Sequence, residues 1–216
     1  MTCKPTQKKW KNRKTDKMEE INIICCGTHH YWKDSTGETW SIPCPVFDNS
    51  IKSELLKKNM INDKDYNINK IKDKELAGYL RKFDENKHFK SLNIVGHMGS
   101  GKTHILKCYF SYLIQNDISS YFINANDLVD LMRLKLSDTE SIYKFNNMMN
   151  CKVILIDNFG SESITTEFSK KSIFNFFDSR EGKTVFTSRR FINAIYMDKD
   201  LGLSDKIMQG CKVVVL

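Results

Sequence analysis

At 216 residues with 40% hydrophobic content, the chain suits one medium domain plus an appendage. No apolar run approaches the roughly 18 residues of a membrane span, and no apolar block opens the N-terminus, so a soluble cytoplasmic protein is expected rather than a membrane or secreted one. Of the net charge of +8, residues 1–17 hold +6, with Lys4, Lys8, Lys9, Lys11, Arg13, Lys14 and Lys17 set against Asp16, so the rest of the chain is nearly balanced.

Residues 1–17 therefore read as a basic flexible arm. It suits either contact with nucleic-acid phosphates through counterion release or a plain solubilising tail. Residues 18–90 read as an N-terminal partner-binding region and linker helices. Within it Cys25, Cys26, His29, His30 and Cys44 crowd around the Gly37 turn with Tyr31, Trp32 and Trp40. Thiols and imidazoles at this spacing on a hairpin are candidate zinc ligands, and a metal would stabilise a segment with little core of its own. The departures are the single cysteine after the turn and the lack of any C-x-x-C pair, and ordinary packing thiols are the competing reading. Between 51 and 90, lysines and acids alternate with apolar residues, and the clearer helix is expected over about 73–84.

From Ser91 the pattern becomes regular. A strand at 92–95 runs into Gly96-His97-Met98-Gly99-Ser100-Gly101-Lys102-Thr103-His104, with a helix expected over about 101–115. Strand, glycine loop and helix form the context that the phosphate-binding loop G-x-x-x-x-G-K-[ST] requires. Its glycines let backbone N–H groups turn toward phosphates, and the helix N-terminus adds positive potential. Lys102 is then placed to reach the β- and γ-phosphates of ATP, and Thr103 to bind magnesium. A strand at 120–124 follows, then a helix capped by Asn126 or Asp127 and running through Leu136, and another over about 139–149.

The run Cys151-Lys-Val-Ile-Leu-Ile-Asp157-Asn158 is apolar enough for a buried central strand ending in an acid. Ligands of open α/β sheets bind at such strand ends. Asp157 is thus the expected Walker B carboxylate for Mg2+. Asn158 stands where a second acid often activates water, and an amide cannot accept that proton at neutral pH. A helix over 165–179 has Phe168, Ile173, Phe174, Phe176 and Phe177 as expected core. A strand at 184–188 ends in Ser188, Arg189 and Arg190 near the presumed γ-phosphate. A short helix at 204–209 and a strand at 212–216 close the sequence, so little or no C-terminal lid is expected. The sum is an α/β P-loop fold over 91–216.

Gly-Ser-Gly-Lys-Thr-His-Ile-Leu at 99–106, Phe-Ile-Asn-Ala-Asn-Asp-Leu-Val at 122–129, Val-Ile-Leu-Ile-Asp-Asn-Phe-Gly at 153–160 and Asp-Ser-Arg-Glu-Gly-Lys-Thr-Val-Phe-Thr-Ser at 178–188 appear collinearly. With them, residues 92–216 resemble the AAA+ domain of DnaC/DnaI-type helicase loaders and the related IstB transposition ATPases. The resemblance implies a five-stranded parallel sheet, ATP with Mg2+, self-association on ATP binding, and the placing of a hexameric replicative helicase on single-stranded DNA. It also implies a sensor-1 role for Ser188 or Arg189 and places Lys206 where the family has its arginine finger. Arg180 matches a family arginine of no fixed role. Asn158, Lys206 and the short C-terminus together suggest slow hydrolysis, hence an alternative as a hydrolysis-poor adaptor or inhibitor. A transposition regulator is a further alternative. The usage, heavy in Lys, Asn and Ile, suits an AT-rich bacterium or its phage.

Overall fold

The computed structural model describes residues 6–11, 18–25, 29–33, 35–36, 38–43, 45–62, 65–134, 139–160, 167–196 and 201–216. They divide into two compact units, 1–60 and 61–216. No helix among them is long and apolar enough to cross a membrane.

The first unit is an antiparallel meander of β1 (Thr6–Lys11), β2 (Met18–Cys25), β3 (His29–Lys33) and β4 (Thr39–Pro43), followed by α1 (Pro45–Lys58). Residues 6–11 of the expected basic arm are therefore a strand. Its register sets Lys9 opposite Glu20 and Trp10 opposite Glu19. Pro45 begins α1, where its missing N–H costs nothing.

In the second unit, 61–90 packs with the α/β core, and the boundary falls at 60/61 rather than at 90/91. Ile61, Ile68, Ile71, Leu76, Leu80 and Phe83 are all buried. Lys152 pairs with Asp84 at 2.7 Å, and Lys183 donates to the carbonyls of Asn86 and Phe89. Helix α2 (Lys74–Leu80) is capped by Asp73, which accepts from the Leu76 N–H at 2.9 Å.

The core then runs β5 (Ser91–Val95), α3 (Lys102–Gln115), β6 (Ser120–Asn124), α4 (Ala125–Leu134), α5 (Thr139–Asn150), β7 (Val153–Phe159), α6 (Glu167–Ser179), β8 (Lys183–Ser188), α7 (Ile192–Ile195), α8 (Leu201–Met208) and β9 (Cys211–Val215). All five strands are parallel, in the order β6-β7-β8-β5-β9. Val153 to Ile156 of β7 are fully buried, as a strand covered on both faces demands. Helix α4 begins at Ala125, one or two residues before the expected caps, and Asn124 Oδ1 accepts the Asn126 N–H at 3.0 Å instead. In α6, Ile173 and Phe176 are buried, whereas Phe168 and Phe174, expected in the core, are 43% and 37% exposed.

The strand order fixes where a ligand can sit. From β5 the chain crosses to β6 at one edge, and from β8 it crosses over β5 to β9 at the other. The loops after β5 and β8 therefore part company, leaving a crevice at this switch point. The first holds the glycine loop and the second holds Arg189 and Arg190.

Candidate nucleotide site

Gly96 is buried under the loop. A Cβ there would lie 2.6 Å from Ser100 Oγ and 3.3 Å from Leu216 Cβ, so another residue would have to turn the Ser100 hydroxyl aside and crowd Leu216. Gly101 takes φ +91° as it delivers the chain into α3, a left-handed conformation that side chains resist. Lys102, only 7% exposed, folds back and donates to Gly96 O at 2.6 Å and His97 O at 2.7 Å. Burial first, then the nearby Arg189 guanidinium, holds its amine below the ordinary lysine value, with Asp157 opposing them. A cation held at such a cost beside the glycine loop is poised for an anion. His97 and Met98 are exposed, and His104 lies against Cys108 Sγ at 3.4 Å and 5.4 Å from the Tyr66 ring.

Thr103 Oγ1 donates to Asp157 Oδ2 at 2.8 Å, so two residues far apart in sequence meet at the helix start. Two oxygen donors side by side beside a phosphate cradle fit a hard divalent cation that keeps most of its waters. The other carboxylate oxygen, Asp157 Oδ1, accepts from Thr187 Oγ1 at 2.6 Å, and that same hydroxyl accepts the Asn158 N–H at 2.9 Å. Thr187 is the residue that sequence reasoning missed. Between β7 and β8 the register shifts after Ile156, resuming at Phe159 opposite Ser188, so Thr187 faces both Asp157 and Asn158. Asn158 sits in this bulge at φ +57°, a conformation asparagine tolerates better than most residues. The period-2 alternation of β8 was the available signal.

Ser188, one of the two expected sensors, points elsewhere: it is 1% exposed and donates to Asn93 Oδ1 at 3.0 Å, inside the sheet. Its carbonyl accepts the Gly96 N–H at 3.2 Å, so it braces the loop. Arg189 is exposed and, with Asn158, Gly160, Arg190 and Ile195, lines a cleft of about 330 Å³ beyond Asp157.

Lys206, expected at the finger position, is ion-paired with Asp178 of its own chain and lies 5.9 Å from the Phe174 ring. It lines a cleft with Ser91 and Thr184, the starts of β5 and β8, at the end of the sheet away from the glycine loop. Arg180 also lies at that end, 4% exposed, and its guanidinium donates to Met148 O, Met149 O and Cys151 O, each at 2.8 Å. It therefore tethers the carboxyl end of α5 and has no part in the nucleotide crevice. Of the zinc candidates, Cys26 and Cys44 lie outside the described residues. Cys25 and His30 are register partners across β2 and β3, with His29 beside them. Among the described residues no group of three or more His, Cys, Asp or Glu gathers as a metal cluster.

Comparison with known proteins agrees with this geometry. The family model described as IstB-like ATP binding protein matches residues 48–215. The replicative helicase loader DnaI of Bacillus subtilis (strain 168) is 26% identical over 91 residues, 42% of this chain and only 29% of that relative's length. Among solved structures, the DnaC helicase loader superposes with a TM-score of 0.58 at 18% identity, over 70% of this chain and 96% of that one. A DnaI structure superposes with a TM-score of 0.56 at 15% identity, over 72% and 90% of the two chains. The replication initiator DnaA, bound to AMPPCP and single-stranded DNA, superposes with a TM-score of 0.58 at 21% identity, over 72% of this chain and 50% of that one. At these identities the likeness is one of fold, the five-stranded parallel AAA+ core.

Proposed function

The chain belongs to the IstB-like ATP-binding family, and from that premise we propose that it is a loader that binds ATP with Mg2+, holds a hexameric replicative helicase, and positions it on single-stranded DNA. The observation that carries nucleotide binding is the meeting of Lys102, Thr103 and Asp157 at the switch point, where Thr103 Oγ1 and Asp157 Oδ2 stand 2.8 Å apart. The helicase and DNA partners are drawn from the named relative, a replicative helicase loader, and from the collinear motifs. Residues 1–60 are proposed as the helicase-holding unit, with zinc at Cys25, His29 or His30 and Cys44 as a staple that elemental analysis of the purified protein tests.

In this site the loop N–H groups and Lys102 would hold the triphosphate of ATP, and Mg2+ held by Thr103 and Asp157 would supply charge neutralisation. Thr187 fixes the Asp157 carboxylate and the Asn158 backbone. Asn158, an amide, can orient a water by hydrogen bonding and cannot take its proton. Hydrolysis is accordingly proposed to be slow.

The test is ATP-dependent co-purification of the full chain with a replicative helicase, together with steady-state hydrolysis with and without single-stranded DNA. Helicase capture that needs ATP and is lost in Lys102→Ala supports the loader. Absence of any helicase contact sinks it. A second reading, an adaptor that binds nucleotide without turnover, is favoured by Asn158 and by the Lys206–Asp178 pair. Turnover abolished by Lys102→Ala rules that one out.

A further inference from the structure

We propose that the outer edge of β9 is an interface on which a second copy of this chain docks strand to strand, in antiparallel register about Val213, and that the pairing needs no nucleotide. The surface lies outside the nucleotide crevice, and the proposal does not rest on the reading of that crevice.

Backbone geometry comes first. β9 closes one side of the sheet and, among the described strands, pairs with β5 alone. At its ends Gly210 O accepts the Ser91 N–H at 3.2 Å, and the Leu216 N–H donates to Val95 O at 2.9 Å. Backbone groups of successive strand residues turn to opposite sides, so those of Lys212 and Val214 serve β5 while those of Cys211, Val213 and Val215 face outward. Among the described residues no backbone group pairs with that outward row. No proline or register shift interrupts it, and Val215 is 63% exposed. An edge of this kind is a template for another strand.

Symmetry selects the strand that fits. A two-fold axis through a Val213–Val213 pair makes the edge its own complement, with Cys211 facing Val215 of the second copy. Each facing pair then exchanges both its N–H and its C=O, as the hydrogen-bonded pairs of an antiparallel ladder do. Lys212 faces Val214 of the second copy.

Charge supports the same register. Lys212 Nζ lies 3.8 Å from the centre of the Tyr79 ring, so the end of α2 sits over the start of β9. Asp73 and Glu75, at the other end of α2, line one groove with Val213 and Val214. Both acids are exposed, and among the described residues neither they nor Lys212 have an ion-pair partner. In the two-fold arrangement Lys212 of the second copy enters beside Val214, at the acidic end of the groove, and symmetry repeats the contact. A slip of one residue would turn Lys212 to the other face and lose both contacts.

The experiment measures self-association of the full-length chain by sedimentation equilibrium without nucleotide. Wild type, Lys212→Glu, Glu75→Lys and an equimolar mixture of these two variants are compared, and thermal unfolding checks that each folds. The wild type is expected to dimerise at micromolar concentration. Each variant alone sets like charges together at both symmetric contacts and should weaken dimerisation about tenfold. In the mixed dimer opposite charges meet at both contacts, so the mixture should recover wild-type affinity, which no effect within a single chain produces. Val213→Cys should also cross-link into a dimer on mild oxidation more than the wild type does, since the facing Cα atoms of such a pair lie about 5.5 Å apart. A wild type that stays monomeric, single variants that dimerise as tightly as wild type, a mixture no tighter than its components, or a Val213→Cys dimer that gains no cross-link overturns the proposal.

Discussion

The Thr187 hydroxyl donates to Asp157 Oδ1 over 2.6 Å, and in the same geometry it accepts the backbone N–H of Asn158 at 2.9 Å. One side chain on β8 thus orients the metal-binding acid and pins the left-handed residue after it. Its hydroxyl hydrogen is committed to the carboxylate, which leaves Oδ2 to Thr103 and to a cation.

Thr187→Val removes that hydroxyl at nearly constant volume. Asp157 Oδ1 and the Asn158 N–H both lose a buried partner, which costs about 1–3 kcal/mol by chemical denaturation. The Mg2+ concentration needed for half-maximal nucleotide binding should rise, whereas Thr187→Ser should stay close to wild type. An unchanged Mg2+ dependence in Thr187→Val would show that Asp157 needs no such brace.

Lys102 yields two pH dependences of opposite sign. In the free protein its amine is held below the ordinary lysine value of 10.5 by burial and by Arg189. Between that lowered value and 10.5 the unfolded chain binds more protons than the folded one, so folding stability contributed by this group rises with pH through that window. Triphosphate favours the ammonium form, so nucleotide affinity falls as pH climbs into the same window. Titrating denaturation and nucleotide binding over the alkaline range checks both, and Lys102→Met should flatten the stability trend.

Much of the site was legible because its chemistry is contiguous. The glycines, Lys102 and Thr103 sit in one short loop with fixed spacing, and Asp157 ends an apolar run that only a central strand explains. Thr187 was not, because Thr187, Ser188 and Arg189 are all polar and their facing depends on the β7–β8 register. The shift after Ile156 brings Thr187 to Asp157 and sends Ser188 inward to Asn93. The strand at 6–11 was hidden for a related reason, since its sequence is basic and its pairing with β2 is a relation between segments. Arg180 matched a family arginine of no fixed role, and nothing in the one-dimensional pattern assigned it one. Its burial among carbonyls emerges only when α5, α6 and β8 converge.

Asn158 offers a direct test of what limits turnover. At φ +57° it tolerates glycine, so Asn158→Gly should keep wild-type stability, while Asn158→Val should lose about 1–3 kcal/mol to backbone strain. Asn158→Glu accepts a smaller strain but places a carboxylate beside Asp157. If the missing base limits hydrolysis, steady-state turnover should rise by roughly 10²–10⁴-fold. A folded Asn158→Glu protein with wild-type turnover would place the limit at another step.

Arg180 is a buried cation whose guanidinium is held by backbone carbonyls. Its donors serve Met148, Met149 and Cys151, plus Lys183 O at 3.1 Å, while Nε has no partner. The Cys151 thiol beside it is pushed up by burial and stays neutral, so it offers no full counter-charge. Burial pushes the Arg180 pKa down as well, yet the guanidinium remains charged near neutrality. What compensates the charge is the negative end of the α5 dipole and the orphan carbonyls there. Arg180→Met leaves those carbonyls buried without donors, and a loss of at least ~3 kcal/mol follows in chemical denaturation. Arg180→Lys should recover little, because one ammonium cannot span acceptors on α5 and at the start of β8 at once. Nucleotide affinity of the folded fraction should be unchanged in both variants, since Arg180 lies at the strand-start end of the sheet with Ser91 and Thr184. A variant that unfolds no more easily than wild type, but binds nucleotide worse, would place Arg180 among the functional residues.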